Sequence, residues 1–207
     1  LKLWLVTTNL ACYEPSDVGG LQMPDGDSMK TLKPKWLLSE AERQAKLDEG
    51  YLGVMYFFDE LPQAPILNMN IFATIADEYR IGDFHIPNGD IVVCAGNRMS
   101  DRSGVNQMPM HLKDRLTTFP IEANLDDWSN YMSANNKDHR VVSWVRFQPE
   151  FLHKFDRDAD AFPTPRSLER TSDILQWNLN EDDLYQAVCC QIGETASASL
   201  FTHLRLH

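Results

Sequence analysis

The sequence is poor in several features that would fix its class at once. Four cysteines occur in 207 residues, at 12, 94, 189 and 190, and none stands in a CxxC or Cys/His spacing. That excludes a zinc ribbon or finger, and the adjacent Cys189-Cys190 pair is a poor start for a disulfide framework. Reduced thiols in a cytoplasmic protein are the expectation. No apolar run approaches the roughly 20 residues that cross a bilayer as a helix. Lys2 and Trp4 lie in a strand-like opening rather than ahead of an apolar stretch, which is not the pattern of a signal peptide. Cations are scarce: 19 Lys and Arg stand against 30 Asp and Glu, a formal net charge of −11. Non-specific duplex binding runs on phosphate neutralisation, so nucleic acid is not expected as a partner. The His residues at 85, 111, 139, 153, 203 and 207 show no metal-ligand spacing. The run Asp156-Arg157-Asp158-Ala159-Asp160 begins like a calcium loop but lacks its Gly and terminal Glu.

What is present is an ordinary globular composition, 43% apolar and 24% charged, enough to bury a core. Leu1 to Thr8 alternates and reads as a strand. Residues 15–35 carry loop and hairpin chemistry, with Asp25-Gly26 as the turn. Ser39 to Gly50 reads as a short polar helix, with Ser39 as cap and Glu42 three residues on. Leu52 to Phe58 is a continuous apolar run, the pattern of a strand covered on both faces in a parallel sheet. A helix is expected from Pro65 to about Glu78, then a hairpin over 79–91 turning at Asn88-Gly89, then a second buried strand, Ile91 to Ala95. Another helix near Pro109 to Leu116 leads to a last strand, Thr117 to Ile121. From Asp126 onward every segment reads as helix: 126–135, 139–147, 149–154, 165–178 and 181–205. The expected organisation is an α/β lobe over 1–122 and a helical lobe over 123–207. The aromatics Trp128, Tyr131, Trp144 and Phe147 fall at helical spacing and read as core of that second lobe.

Four segments carry chemistry. The strand Val54-Met55-Tyr56-Phe57-Phe58 ends in Asp59-Glu60, which puts two carboxylates at the carboxyl edge of a parallel sheet, where open α/β folds bind ligands. In Walker B chemistry the Asp holds Mg²⁺ and the Glu polarises the attacking water. A second buried strand, Val92-Val93-Cys94-Ala95-Gly96, ends in Asn97. Arg115 comes late in a helix, just before a strand; dipole complementarity alone also places Arg at helix ends. Pro165 and Arg166 open a helix. A cation at that end is disfavoured by the macrodipole, so Arg166 is expected to have an anionic partner.

The order of these segments, GVMYFFDELPQAP, then IFATIADEYRIGDFHIPNGDIVVCAGNRMSDR, MPMHLKDRLTTFPIEANLDDWSNYM and FPTPRSLERTSDIL, resembles MoxR-type AAA+ ATPases, in particular the MoxR-like ATP-binding proteins of bacteria and phages. The resemblance runs from Leu1 to about Leu204. It implies an AAA+ α/β lobe followed by a helical lid, ATP and Mg²⁺ as ligands, and hydrolysis coupled to chaperone-like remodelling of a partner protein. It assigns Asp59 to the metal, Glu60 to water activation, Asn97 to sensor 1, Arg115 to the arginine finger (Arg102 is the alternative) and Arg166 to sensor 2, which meets ATP. It also implies a ring of subunits, typically a hexamer, and a von Willebrand factor A domain protein as partner. Insertions such as 18–35 and 79–91 are expected to face the pore or the client.

One departure is sharp. No Gly-Lys-Ser or Gly-Lys-Thr occurs, so the chain has no GxxxxGK[ST] phosphate loop. In the family that loop precedes the strand that Leu1 to Thr8 is taken to form. With Leu rather than Met at position 1, the expectation is that the first strand and its loop are missing from the sequence. A non-catalytic AAA+ remnant acting as a binding module is the alternative.

Overall fold

The computed structural model describes residues 2–97, 106–156 and 158–206. The chain divides into two compact units, Leu1–Thr118 and Phe119–His207; the sequence reading put the joint at 122/123.

The first unit is built on a three-stranded parallel sheet. Its strands are β1 (Trp4–Asn9), β4 (Val54–Asp59) and β7 (Ile91–Cys94), in the order β1-β4-β7. Strand β4 is central, and its apolar run Val54–Phe58 suits a strand with neighbours on both edges and cover on both faces. Its residues alternate between fully and partly buried, with Val54, Tyr56 and Phe58 inside. Trp36 packs edge-on against Tyr56 and Phe58, with ring centroids 5.4 and 4.8 Å away, and Phe58 meets Phe72 at 5.1 Å. Phe72 lies on α3 (Ile66–Glu78), whose buried residues Met69, Phe72, Ala73 and Ile75 complete this core.

Two hairpins and three helices, one of them α3, fill the crossovers. After β1 come α1 (Pro15–Gly19) and the pair β2 (Leu21–Asp25) and β3 (Ser28–Leu32), then α2 (Glu40–Asp48). Helix α2 starts as the sequence predicts. The Ser39 hydroxyl accepts from the Glu42 N–H, and the Glu42 carboxylate accepts from the Ser39 N–H at 2.7 Å. After α3 comes the short pair β5 (Arg80–Ile81) and β6 (Phe84–His85), and after β7 comes α4 (Met110–Lys113).

The second unit is helical: α5 (Leu125–Ala134), α6 (His139–Phe147), α7 (Pro165–Ile174), α8 (Glu181–Ile192) and α9 (Glu194–Leu206). Their apolar faces enclose Met132, Trp144, Leu168, Ile192 and Leu200. The Trp144 indole N–H is satisfied by Gln148 and Ser199, each at 3.0 Å. Among the described residues no helix is long and apolar enough to cross a membrane.

Several expectations change. Residues 117–121 form no strand. Pro120 has no N–H to give to a ladder, and no described strand pairs with this stretch, so Phe119 and Ile121 stand 78% and 88% exposed. The first hairpin pairs Asp25 with Ser28, so its turn is Gly26-Asp27, one residue beyond the expected centre. The second hairpin turns at Gly82-Asp83, and Asn88-Gly89 is a separate turn that leads into β7. The 149–154 segment is a 3-10 turn, Pro149–Phe151. The long helix expected over 181–205 is two. Gly193 breaks it with φ 81°, and a Cβ there would lie 2.6 Å from the Ala161 carbonyl oxygen.

Candidate active site

At the carboxyl edge of the sheet Asp59 ends β4 with Glu60 next, while the adjacent strand β7 ends at Cys94, three residues before Asn97. Strands β4 and β7 pair in parallel with Phe58 opposite Cys94, and the Ala95 N–H donates to the Phe58 carbonyl at 2.9 Å. The chain then crosses back: the Leu61 N–H donates to the Ala95 carbonyl at 3.0 Å. Asp59 and Glu60 are therefore bracketed between the ends of β4 and β7. On the other side Asn9 ends β1 directly opposite Asp59, and the Leu10 N–H donates to the Asp59 carbonyl at 3.0 Å.

Glu60 is held in an unusual conformation. Its backbone sits at φ 58°, ψ 33°, the left-handed region that side chains other than Gly, Asn and Asp rarely adopt. The Asp59 carboxylate steadies it by accepting the Glu60 N–H at 2.9 Å. The turn Leu61–Gln63 follows at once, with Leu61 and Pro62 buried. One carboxylate oxygen of Glu60, Oε2, is buried without a hydrogen-bond partner, and so is the side-chain oxygen of Gln63. Backbone strain beside an unsatisfied carboxylate is the kind of cost that a fold tolerates at a working site.

The turn fits because residue 96 is glycine. A Cβ there would lie 2.0 Å from Pro62 Cδ and 3.4 Å from Gln63 Oε1. The backbone after β7 thus lies directly against the turn that carries Glu60, and Asn97 follows it, exposed. Burial pushes the Cys94 thiol at the end of β7 above its ordinary pKa, so it stays protonated.

Asn68 pins the neighbouring loop. It is fully buried on α3, and its amide donates to the carbonyls of Leu10 and Tyr13 at 3.0 and 2.7 Å. Asn9, Gln63 and Asn68 are not residues that the sequence pattern marks. Asn9 could have been marked: it is the polar end of an apolar strand, the same signal that marks Asn97. Gln63 and Asn68 gave no local signal, because their place depends on contacts with Gly96 and with Leu10.

Each of the two arginines belongs to its own unit. Arg115 follows α4, where its Nε meets the Asp77 carboxylate of α3 at 2.9 Å and its Nη1 donates to the His111 carbonyl at 2.6 Å. Arg166 belongs to the second unit, in the first turn of α7, and is exposed with no ion pair among the described residues. The helix start there is satisfied by Thr164 and Ser167, whose side chains accept each other's backbone N–H at 3.0 and 2.7 Å. Arg102 lies outside the described residues.

Among the described residues no three His, Cys, Asp or Glu side chains converge to hold a metal ion. A divalent cation at this edge would rest on Asp59 and on oxygens brought by its own ligand, which is how Mg²⁺ commonly sits with phosphates. One cavity of this unit, about 490 Å³, is lined by Gly19, Gly20, Ile71, Ile75, Arg80 and others, and includes none of the edge residues. Compared with family models and with curated proteins, the chain matches none.

Proposed function

We propose that this chain is the nucleotide-hydrolysing module of a MoxR-type AAA+ ATPase, coupling ATP hydrolysis to remodelling of a partner protein. One observation carries the reading. Asp59 ends β4 with Glu60 next, the adjacent parallel strand β7 ends at Cys94 three residues before Asn97, and Glu60 is held in a strained backbone with a buried oxygen that lacks a donor. In this reading Asp59 binds Mg²⁺, which neutralises charge on the phosphates. Glu60 accepts a hydrogen bond from the attacking water and draws off its proton. Asn97 orients the same water. Arg115 leaves Asp77 to serve a neighbouring subunit's nucleotide, Arg166 meets the nucleotide from the helical unit, and the working form is a ring. A von Willebrand factor A domain protein as partner belongs to the same proposal and rests on the family resemblance alone.

A second reading, a binding module without catalysis, is favoured by the absence of any Gly-Lys-Ser or Gly-Lys-Thr in these residues. Without a phosphate loop the triphosphate loses its backbone cradle and its lysine. Two lost charge-assisted contacts cost about 3–6 kcal/mol, on the order of 10²–10⁴ in affinity. Calorimetric titration of Mg·ATP separates the two readings. The 207 residues alone should show no micromolar binding, whereas the product of the complete reading frame should bind if that frame supplies GxxxxGK[ST]. A complete frame without the motif, and without binding, leaves the binding module.

A further inference from the structure

We propose that Asn106 is a positioning residue for Glu60: it grips the turn after Glu60 by two carbonyls and so fixes the backbone from which the Glu60 carboxylate projects. The grip belongs to the fold; its effect on turnover rests on the ATPase reading. Local preference does not favour this turn. Glu60 caps it at φ 58°, ψ 33°, the left-handed region that a Cβ makes costly. Leu61 then enters the 3-10 turn directly before Pro62, although a proline ring disfavours helical backbone in the residue ahead of it. Two successive residues thus hold unfavourable backbones, and such a segment persists only where its surroundings over-determine it.

The start of the turn hangs from the sheet: the Glu60 N–H donates to Asp59 Oδ1 at 2.9 Å, and the Leu61 N–H to the Ala95 carbonyl at 3.0 Å. Its middle is walled by Gly96, where a Cβ would stand 2.0 Å from Pro62 Cδ. Its end is held by Asn106. The Asn106 backbone N–H donates to the Pro62 carbonyl at 2.8 Å, and its Nδ2 donates to the Ala64 carbonyl at 3.0 Å. The turn's own bonds use the carbonyls of Glu60 and Leu61, taken by the N–H groups of Gln63 and Ala64. The Pro62 and Ala64 carbonyls lie past those bonds, where the chain is extended at Ala64 and Pro65 before α3 begins. A helical turn leaves its last carbonyls without a partner of its own, and Asn106 supplies both. Ala64 is fully buried, and a buried carbonyl needs a donor. Asparagine suits the place because it donates from main chain and side chain at once. Without the amide the turn keeps its hold on the sheet and loses its far end. A base that must meet its proton in fixed geometry then loses rate, on the order of 10²-fold for a displacement of about 1 Å.

Asn106→Ala removes the side-chain donor and keeps the backbone one; Asn106→Asp keeps the shape and puts an acceptor in place of the donor. NMR of this chain without nucleotide reads the Glu60 Cα and Cβ chemical shifts, which report a left-handed backbone. The wild type should carry that signature. In both variants the Glu60 signals should leave it or broaden, while those of the helical unit stay in place. Glu60 shifts that are unchanged in either variant overturn the proposal. If neither variant folds, the wild type decides: the Asn106 N–H should exchange with solvent far more slowly than the N–H of the exposed Gln107, and equal rates overturn the proposal. Turnover is measured separately, in a form that hydrolyses ATP. There Asn106→Ala should lower kcat on the order of 10–10²-fold with KM for ATP nearly unchanged, and an unaltered kcat overturns the positioning role. Moved Glu60 shifts in a protein that never hydrolyses ATP would leave the grip standing and remove the ATPase reading; unmoved shifts in an active ATPase would do the reverse.

Discussion

Arg43 and Asp90 form a two-point ion pair at the amino edge of the sheet, with Nε and Nη2 each 2.8 Å from a carboxylate oxygen. The Asp90 side chain is wholly buried and also accepts the Val54 N–H at 3.0 Å, so one carboxylate ties α2, the start of β4 and the residue before β7 together. Paired and fully hydrogen-bonded, such a charge is tolerable; stripped of its partner it is not. Arg43→Met leaves Asp90 uncompensated and should lower the unfolding free energy by about 3 kcal/mol or more, read from urea titration. A loss below about 1 kcal/mol would show that the pair is not holding the sheet.

Gly96 should not tolerate a side chain. Its Cβ would overlap Pro62 Cδ, and both are backbone-anchored, so neither can swing away. Gly96→Ala should cost on the order of 1–3 kcal/mol and displace the turn that carries Glu60 and Gln63. Thermal and urea unfolding measure the cost. An unchanged stability would place the turn farther from β7 than described.

The alkaline limb of stability should report Tyr56. Burial, and then the neighbouring Asp90 carboxylate, push its phenol up to about 12 from an ordinary value of about 10. The pKa is raised in the folded state, so the contribution is complete below about 10 and is lost as the pH rises towards about 12, because the unfolded chain ionises first. Urea unfolding at several pH values across that window should fall more steeply for the wild type than for Tyr56→Phe. Parallel curves would mean that the phenol is not shielded.

Arg115 is engaged with Asp77, so a trans role requires the pair to open. Both partners are substantially exposed, and such pairs contribute little, so opening is inexpensive. In a form that hydrolyses ATP, Arg115→Ala should lower turnover by about 10³-fold or more, the usual worth of an arginine finger. Asp77→Asn should leave turnover intact or raise it, and mixed Arg115→Ala and Glu60→Gln subunits should regain activity. Lack of rescue in mixed rings counts against action across an interface.

The frame of the first unit was legible because its strands are chemically uniform. The apolar run ending at Asp59 and the shorter one over Ile91–Cys94 read as strands, and bringing their carboxyl ends together follows from parallel pairing. Turn positions were less legible. Asn88-Gly89 and Gly82-Asp83 both carry turn chemistry, and only the pairing of Arg80 with His85 chooses the second as the hairpin. The failed strand at 117–121 shows that apolar content does not make a strand without a neighbour to share hydrogen bonds. Within the site, the residues at strand ends were readable, whereas Gln63 and Asn68 depend on contacts with residues 33 and 58 positions away, Gly96 and Leu10, which local pattern does not encode.

The account stands on Glu60 as the group that activates water. Its most direct test compares wild type with Glu60→Gln in the product of the complete reading frame, measuring Mg·ATP affinity by calorimetry and turnover by phosphate release. The amide keeps the shape and loses the base, so affinity should hold within a few-fold while turnover falls by about 10²–10⁴-fold. Turnover that survives in Glu60→Gln, or a wild-type protein that carries the phosphate loop yet binds no nucleotide, would contradict the account.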